Sequence, residues 1–385
     1  YIFFTTLTLI TAGTIFLNAK KLDIQTDAIE IRSGKTKIKT YTAVSDDKYS
    51  LMEENAESHL ERLLAVNAPV GQIWNVQLKI QGREDGYKGC DEGPDYDYEI
   101  FDDEVYKYGG VGDGAIWTGV YTAAMAYRCA TLQTEEACDL AKDQVRVLHN
   151  LYAVNGIDGL ISRGYEPPTY TCPKKEHDDS ILHCDLEDQH GIFEGSGEYE
   201  GYVYMDNPSK DAYAGWAFGM ATAYDLINDE ETRELIRNDF SEFVEHLIDN
   251  DYEVYPQHVE YQIPDWMNKD NDEVKQKRLE EAAASLGYDH LTFKGNSGNA
   301  MIALSYLRTA YHMTGRSKFK DEFLDKVNKN TGNWLTKAKR WCGNNDVTLI
   351  NGSKCTREDY YRFNIGAMPL FTLMRIETTS ELREE

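Results

Sequence analysis

The chain has 385 residues with 41% hydrophobic and 12% aromatic content, enough for one large core and too apolar for a disordered segment. Its 66 acidic residues outnumber 40 basic ones, giving a net charge of −26. That excess argues against sequence-independent binding to nucleic acid or anionic membranes, which needs clustered Lys and Arg.

Residues 1–19 are uncharged and mostly apolar, and Lys20 and Lys21 follow. They read as the h-region of a secretory signal ending at Leu17-Asn18-Ala19. A retained membrane anchor and the apolar helix of a filament subunit are the alternatives, and either would route membrane contact or self-assembly through this segment. Residues 20–47 alternate polar and apolar about Arg32-Ser33-Gly34-Lys35, the pattern of a β-hairpin. From residue 48 to 385 the chain reads as one domain.

Tyr49–Val66 is expected to be a helix with Leu51, Leu60, Leu63 and Leu64 inward, and Gln72–Gln81 a short strand. Gly82–Val111 reads as a long loop. Its acidic cluster (Asp91, Glu92, Asp95, Asp97, Glu99, Asp102, Asp103, Glu104) has the composition of a Ca²⁺ site without the spacing of a defined calcium loop. A solvated acidic loop is the favoured reading over Ca²⁺, and no other cofactor is expected.

Gly112–Tyr127 is apolar nearly all round, the mark of a buried helix. Its successor, Glu135–Val154, is amphipathic. A link of about fifty residues, Gly156–Asn207, follows, long enough to expect function in it. The central stretch, Pro208–Tyr224, repeats the buried helix, with Ser209 or Asp211 as N-cap. Asp229–Asp249 is again amphipathic. Tyr252–Gly295 is irregular around a charged helix at Asp272–Leu286. Asn296–Thr314 is a third buried helix, with Lys318–Lys339 as its wet partner. Tyr360–Leu370 is a fourth apolar segment, which Pro369 bends or restarts.

Buried and amphipathic helices thus alternate at roughly 85 to 95 residues, far longer than a solenoid period. A polar, aromatic-rich segment precedes each buried helix. On Gly112–Tyr127, Ser209–Tyr224 and Asn296–Tyr311, the chain resembles the six-hairpin (α/α) toroid superfamily, largely glycoside hydrolases and polysaccharide lyases. The resemblance is architectural and spans about residues 48–377. It implies an all-α (α/α) barrel of helical hairpins with long loops at one mouth, beside the small N-terminal β-hairpin. It also implies acid/base residues at inner-helix starts or in the loops before them. Those places hold Asp113, Asp206 and Asp211, with Glu194 in the long link.

Glycoside hydrolysis needs two carboxylates flanking the bond, one protonated and one ionised. Asp113 and Asp211 occupy equivalent places, each followed by aromatics suited to a sugar face: Trp117, and Tyr213 with Trp216. Both aspartates also fit helix caps, and both tryptophans fit a core. Arg163 and Tyr165 open the long link, where an arginine can clamp a uronic acid or form an ordinary ion pair. His290, a candidate base or loop hydrogen-bonder, and Asn296 stand before the third buried helix. His177, His183 and His190 lie among acids but lack a zinc motif, so no metal is expected there. No nucleophile elbow, phosphate loop or dinucleotide fingerprint is present.

Seven cysteines include three short-range pairs, Cys129/Cys138, Cys172/Cys184 and Cys342/Cys355, which read as local disulfides of an exported protein and leave Cys90 over. The expected function is an extracellular or cell-surface protein that binds or cleaves carbohydrate. The competing reading is a non-enzymatic surface or filament-forming protein that keeps residues 1–19.

Overall fold

The structure is a computed structural model that describes residues 46–80, 101–109, 111–170, 191–257, 290–294, 297–328, 330–338, 360–379 and 382. The expected signal, N-terminal hairpin, Asp272–Leu286 helix, histidine group and most of the acidic cluster lie outside them. The described residues are mostly helical with small antiparallel sheets.

Helix α1 spans Asp46–Arg62 and tightens into a π-turn, Leu63–Asn67. Three similar units follow. Strands β1 (Asn75–Ile80) and β2 (Phe101–Gly109) precede α2 (Gly114–Leu132) and α3 (Glu135–Ala153). Strands β3 (Gly164–Glu166), β4 (Ile192–Glu194) and β5 (Val203–Met205) form a sheet of order β3-β5-β4 before α4 (Lys210–Leu226) and α5 (Glu230–Asp249). Strands β6 (Glu253–Val254) and β7 (Leu291–Thr292) precede α6 (Ser297–Thr314) and α7 (Ser317–Val327). Two helices close the described chain, α8 (Trp334–Ala338) and α9 (Tyr360–Ile376), the latter running through Pro369 without a break.

The units correct the sequence reading in two places. The segments before the buried helices are not loops throughout, because each contributes strands. The wet partner expected at Lys318–Lys339 ends at Val327, and a separate short helix, α8, follows.

The buried helices are apolar all round because neighbours cover both sides. Helix α4 packs against α2, α3, α5, α6 and α9. Contacts between α2 and α4 advance in the same sense, Ile116 to Gly215 and then Gly119 to Gly219, so these helices run parallel. The pair Phe218 and Phe371, and the hydrogen bond from Arg375 to the Ala221 carbonyl, extend that sense to α9. Amphipathic α3 and α5 are capped as their sequences suggest. Thr134 Oγ1 accepts from the Ala137 amide, and Asp229 Oδ1 from the Thr232 amide at 2.9 Å.

Trp216 sits at the centre of the core, between Tyr152 and a stacked Phe240 5.6 Å away. Tyr213 stacks on Phe243 and meets Phe293 edge-on. A second cluster fills the space between α2, α4 and α9: Ile116, Val120, Ala214 and Met368, with Trp117, Phe218 and Ile365 at its margin.

Where α2 turns into α3, Cys129 and Cys138 form a disulfide with Cα atoms 4.5 Å apart, as the spacing predicts. Of the three expected bridges this is the one the described residues contain. Cys172 and Cys184, Cys342 and Cys355, and the leftover Cys90 all lie outside the described residues, so the Cys172–Cys184 and Cys342–Cys355 pairings remain expectations from spacing. Closing so short a loop as that of Cys129–Cys138 is worth about 2–3 kcal/mol by loop entropy. Replacing both cysteines by serine should therefore lower the melting temperature by several degrees, read by calorimetry.

Helices α3 and α5 are also joined by His149, whose Nδ1 lies 2.8 Å from Asp239 Oδ2. Burial pulls the imidazole pKa down, but the hydrogen bond and charge of Asp239, helped by Glu198 and Glu242, raise it above its ordinary value. A histidine raised on folding stabilises the fold below about pH 6.5 and loses that contribution as pH climbs through its folded pKa. As pH rises from 5.5 to 8 the protein should therefore lose the stability this contact contributes. A His149→Gln variant should show a flatter profile of melting temperature against pH.

Candidate active site

The starts of α2 and α4 stand side by side, and one residue, Arg163, ties them together. Its amide donates to the Met205 carbonyl at the end of β5, and its carbonyl accepts from the Ala115 amide in the first turn of α2. The guanidinium then donates from Nε to the Asn207 carbonyl at 2.5 Å and from one terminal nitrogen to the Gly112 carbonyl at 2.9 Å. Gly112 directly precedes Asp113, and Asn207 lies four residues before Asp211. Asn207 holds a left-handed backbone, φ 51°, a conformation that asparagine tolerates better than most residues. Arg163 thus positions the two helix starts through these backbone contacts, and its charge also acts on Asp211.

Neither aspartate caps its helix. Helix α4 is capped by Ser209, whose Oγ accepts from the Ala212 amide, and Asp113 makes no side-chain cap bond to α2. Neither carboxyl bonds to another residue or forms an ion pair among the described residues. Asp113 is exposed and Asp211 half-buried. Burial first, and then the negative charge of Asp113, pushes the Asp211 carboxyl up to about 6, while Arg163 and Lys210 pull it down. An acid poised there donates protons near neutrality, and an exposed second carboxylate can serve as base or nucleophile.

Helical spacing puts an apolar floor one turn below the pair. Trp117 follows Asp113 by four residues, and Ala214 and Phe218 follow Asp211 by three and seven. All three belong to the cluster between α2, α4 and α9. Trp117, half-buried there, lies one helical turn after Asp113.

The other expected residues lie elsewhere. Tyr213 and Trp216 are fully buried on the opposite side of α4, their polar tips bonded to the Gly159 and Leu148 carbonyls. They are core residues and not sugar platforms. Tyr165, 3% exposed, has its hydroxyl held by Asn150 and is likewise core. Asp206 is completely buried where β5 hands over to α4. Glu194 is exposed on edge strand β4, and the charges acting most on Asp211 are those of Asp113, Arg163 and Lys210. His290 stands by β7, its Nε2 3.6 Å from Glu253 and its ring beside Tyr255. Asn296 lies outside the described residues. No group of histidines, cysteines and acids able to hold a metal occurs among the described residues, and the acidic stretch considered for Ca²⁺ falls largely outside them.

Sequence reasoning passed over Lys210. The signal was there: a cation in the first turn of a helix, where the macrodipole disfavours positive charge. No helix among the described residues is long and apolar enough to cross a membrane. Comparisons with models of known families, with curated proteins and with solved structures find no match for this chain.

Proposed function

We propose that the protein is an exported, glycan-active enzyme of the glycoside-hydrolase kind, with Asp211 as proton donor and Asp113 as the second carboxyl of the pair. The observation that carries this reading is that two aspartates meet at neighbouring helix starts while neither caps its helix nor pairs with a base. A half-buried carboxyl without a structural partner costs stability, so its retention points to chemistry. Three further features support the reading. The carboxylates stand over an apolar floor that includes an indole, as a sugar ring requires. Parallel inner helices with amphipathic partners are what an (α/α) toroid would present, with the strand-bearing segments at its mouth. A disulfide in the α2–α3 turn fits an oxidising compartment outside the cytosol.

Release of reducing ends from a panel of plant, algal and bacterial polysaccharides tests this between pH 5 and 8. We expect turnover on at least one polymer, falling as pH rises above about 6, the value to which the acid is raised. A panel that is neither cleaved nor retained would count against the reading.

A further inference from the structure

We infer that the His149–Asp239 contact is a pH-operated latch: in weak acid it holds shut the 3₁₀ turn Gly197–Tyr199 and the strand after it, and as pH rises it lets that turn open. The inference goes beyond the glycan reading and does not depend on it. Consecutive residues of α3 each fasten a different part of the molecule. The Leu148 carbonyl accepts from Trp216 Nε1 of α4 at 2.9 Å. His149 Nδ1 lies 2.8 Å from Asp239 Oδ2 of α5. Asn150 Oδ1 accepts from the Tyr199 hydroxyl at 2.9 Å, and its Nδ2 donates to the Tyr165 hydroxyl at 3.1 Å. In the turn itself Ser196, Gly197, Glu198 and Glu200 are exposed, which leaves buried Tyr199 as its anchor. That anchor is tied to α3 one residue away from a group that titrates near neutrality. From the turn the chain runs into β5, whose last residue, Met205, accepts from the Arg163 amide. The latch therefore stands at the head of the segment that leads to the starts of α2 and α4.

Charge makes the hold depend on pH. The groups facing His149 are Asp239 and Glu242 from α5 and Glu198 from the turn, while Arg146 on α3 itself is paired with Asp143. Tyr152, Tyr165 and Tyr199 are nearby phenols that burial raises, so they stay neutral throughout. A protonated imidazole offsets the three carboxylates. A neutral one leaves Glu198 on the turn to be repelled by Asp239 and Glu242 on the helix. His149, Asp239 and Glu242 are all raised above their ordinary values in the closed form. Each binds its proton more tightly there, so the signs agree and the closed form loses ground as pH climbs. A segment held by few contacts is where such a loss shows as local opening.

The test is amide hydrogen exchange of the full chain at pH 6 and pH 8, corrected for the intrinsic pH dependence of exchange. The reporters are the Gly195 and Tyr202 amides, which donate to the Tyr202 and Tyr199 carbonyls across the turn. We expect their protection to fall about threefold between the two pH values, the scale of a partly exposed charge pair. The Gln133 and Cys138 amides, bonded within the α2–α3 turn, should keep theirs. In His149→Gln the reporters should not change with pH. Tyr199→Phe keeps the histidine but removes the hydroxyl that links the turn to α3, so protection should be lower at both pH values and equally flat. Melting temperatures identify any variant that fails to fold. Equal protection at both pH values in the wild type, or a fall shared by Gln133 and Cys138, overturns the inference. So does a fall that persists in a folded His149→Gln or Tyr199→Phe.

Discussion

Replacing Gly215 by leucine should leave the chain without a stable fold. A Cβ at Gly215 would lie 2.3 Å from Ile116 Cα and 2.6 Å from its carbonyl oxygen. One at Gly119 would lie 1.9 Å from the Gly215 carbonyl oxygen, and one at Gly219 2.6 Å from that of Gly119. These neighbours are backbone atoms of a facing helix and cannot rotate aside. Glycine inside a helix costs about 0.5–1 kcal/mol relative to alanine, so propensity alone would favour substitution here. The structure predicts the opposite sign. Gly215→Ala should destabilise by about 2–3 kcal/mol through overpacking, and Gly215→Leu by more than the fold can absorb. Gly315, where a Cβ would meet nothing but φ is +66°, provides the contrast: alanine there should cost only about 1 kcal/mol in backbone strain. Denaturant unfolding of the three variants ranks them. Since the same crossing brings the starts of α2 and α4 together, Gly215→Ala should also reduce turnover.

Asp211→Asn should abolish turnover while leaving the fold at least as stable as before. Loss of a general acid lowers rate by about 10²–10⁴-fold. The stability sign follows from the raised pKa. A carboxyl near 6 in the folded protein, against 3.8 ordinarily, binds its proton more tightly when folded, so stability falls as pH rises through that interval. At pH 8 the ionised, half-buried carboxylate destabilises by about 1–2 kcal/mol after allowance for screening, and the neutral amide removes that cost. Ser209→Ala should behave in the opposite way, losing about 1 kcal/mol because Ser209 is the N-cap of α4. Were Asp211→Asn the variant that melts early, its carboxyl would be structural.

The helices were legible in the sequence because burial on all sides and burial on one side leave different patterns. Pro208–Tyr224 and Asp229–Asp249 gave that contrast most clearly, and Ser209 or Asp211 was already the choice of cap. Of the strands, β1 was legible as the short strand expected at Gln72–Gln81, and the others were not. Strands β3, β4 and β5 have three residues each, too few to show alternation, and β2 contains Asp102, Asp103 and Glu104, which strands disfavour. Bulges between Gln77 and Leu78 and between Leu78 and Ile80 break the period further.

The candidate site was half legible. Repetition of an aspartate and an aromatic at two helix starts led to Asp113, Asp211 and Trp117. It also led to Tyr213 and Trp216, since composition does not say which face of α4 an aromatic occupies. What decides is the acceptor each polar tip finds, a carbonyl 54 residues away for Tyr213 and 68 away for Trp216. Arg163 was singled out for its charge, whereas its place depends on carbonyls at Gly112 and Asn207 that only folding brings together.

The coupling of Asp113 to Asp211 can be measured by following the Asp211 carboxyl carbon in a ¹³C-labelled protein through a pH titration, in the wild type and in Asp113→Asn. We expect a midpoint near 6 in the wild type, moving down when the neighbouring charge is removed. A midpoint in the ordinary aspartate range near 4, unchanged by Asp113→Asn, would contradict a carboxylate pair at the helix starts and with it the assignment of Asp211 as the acid.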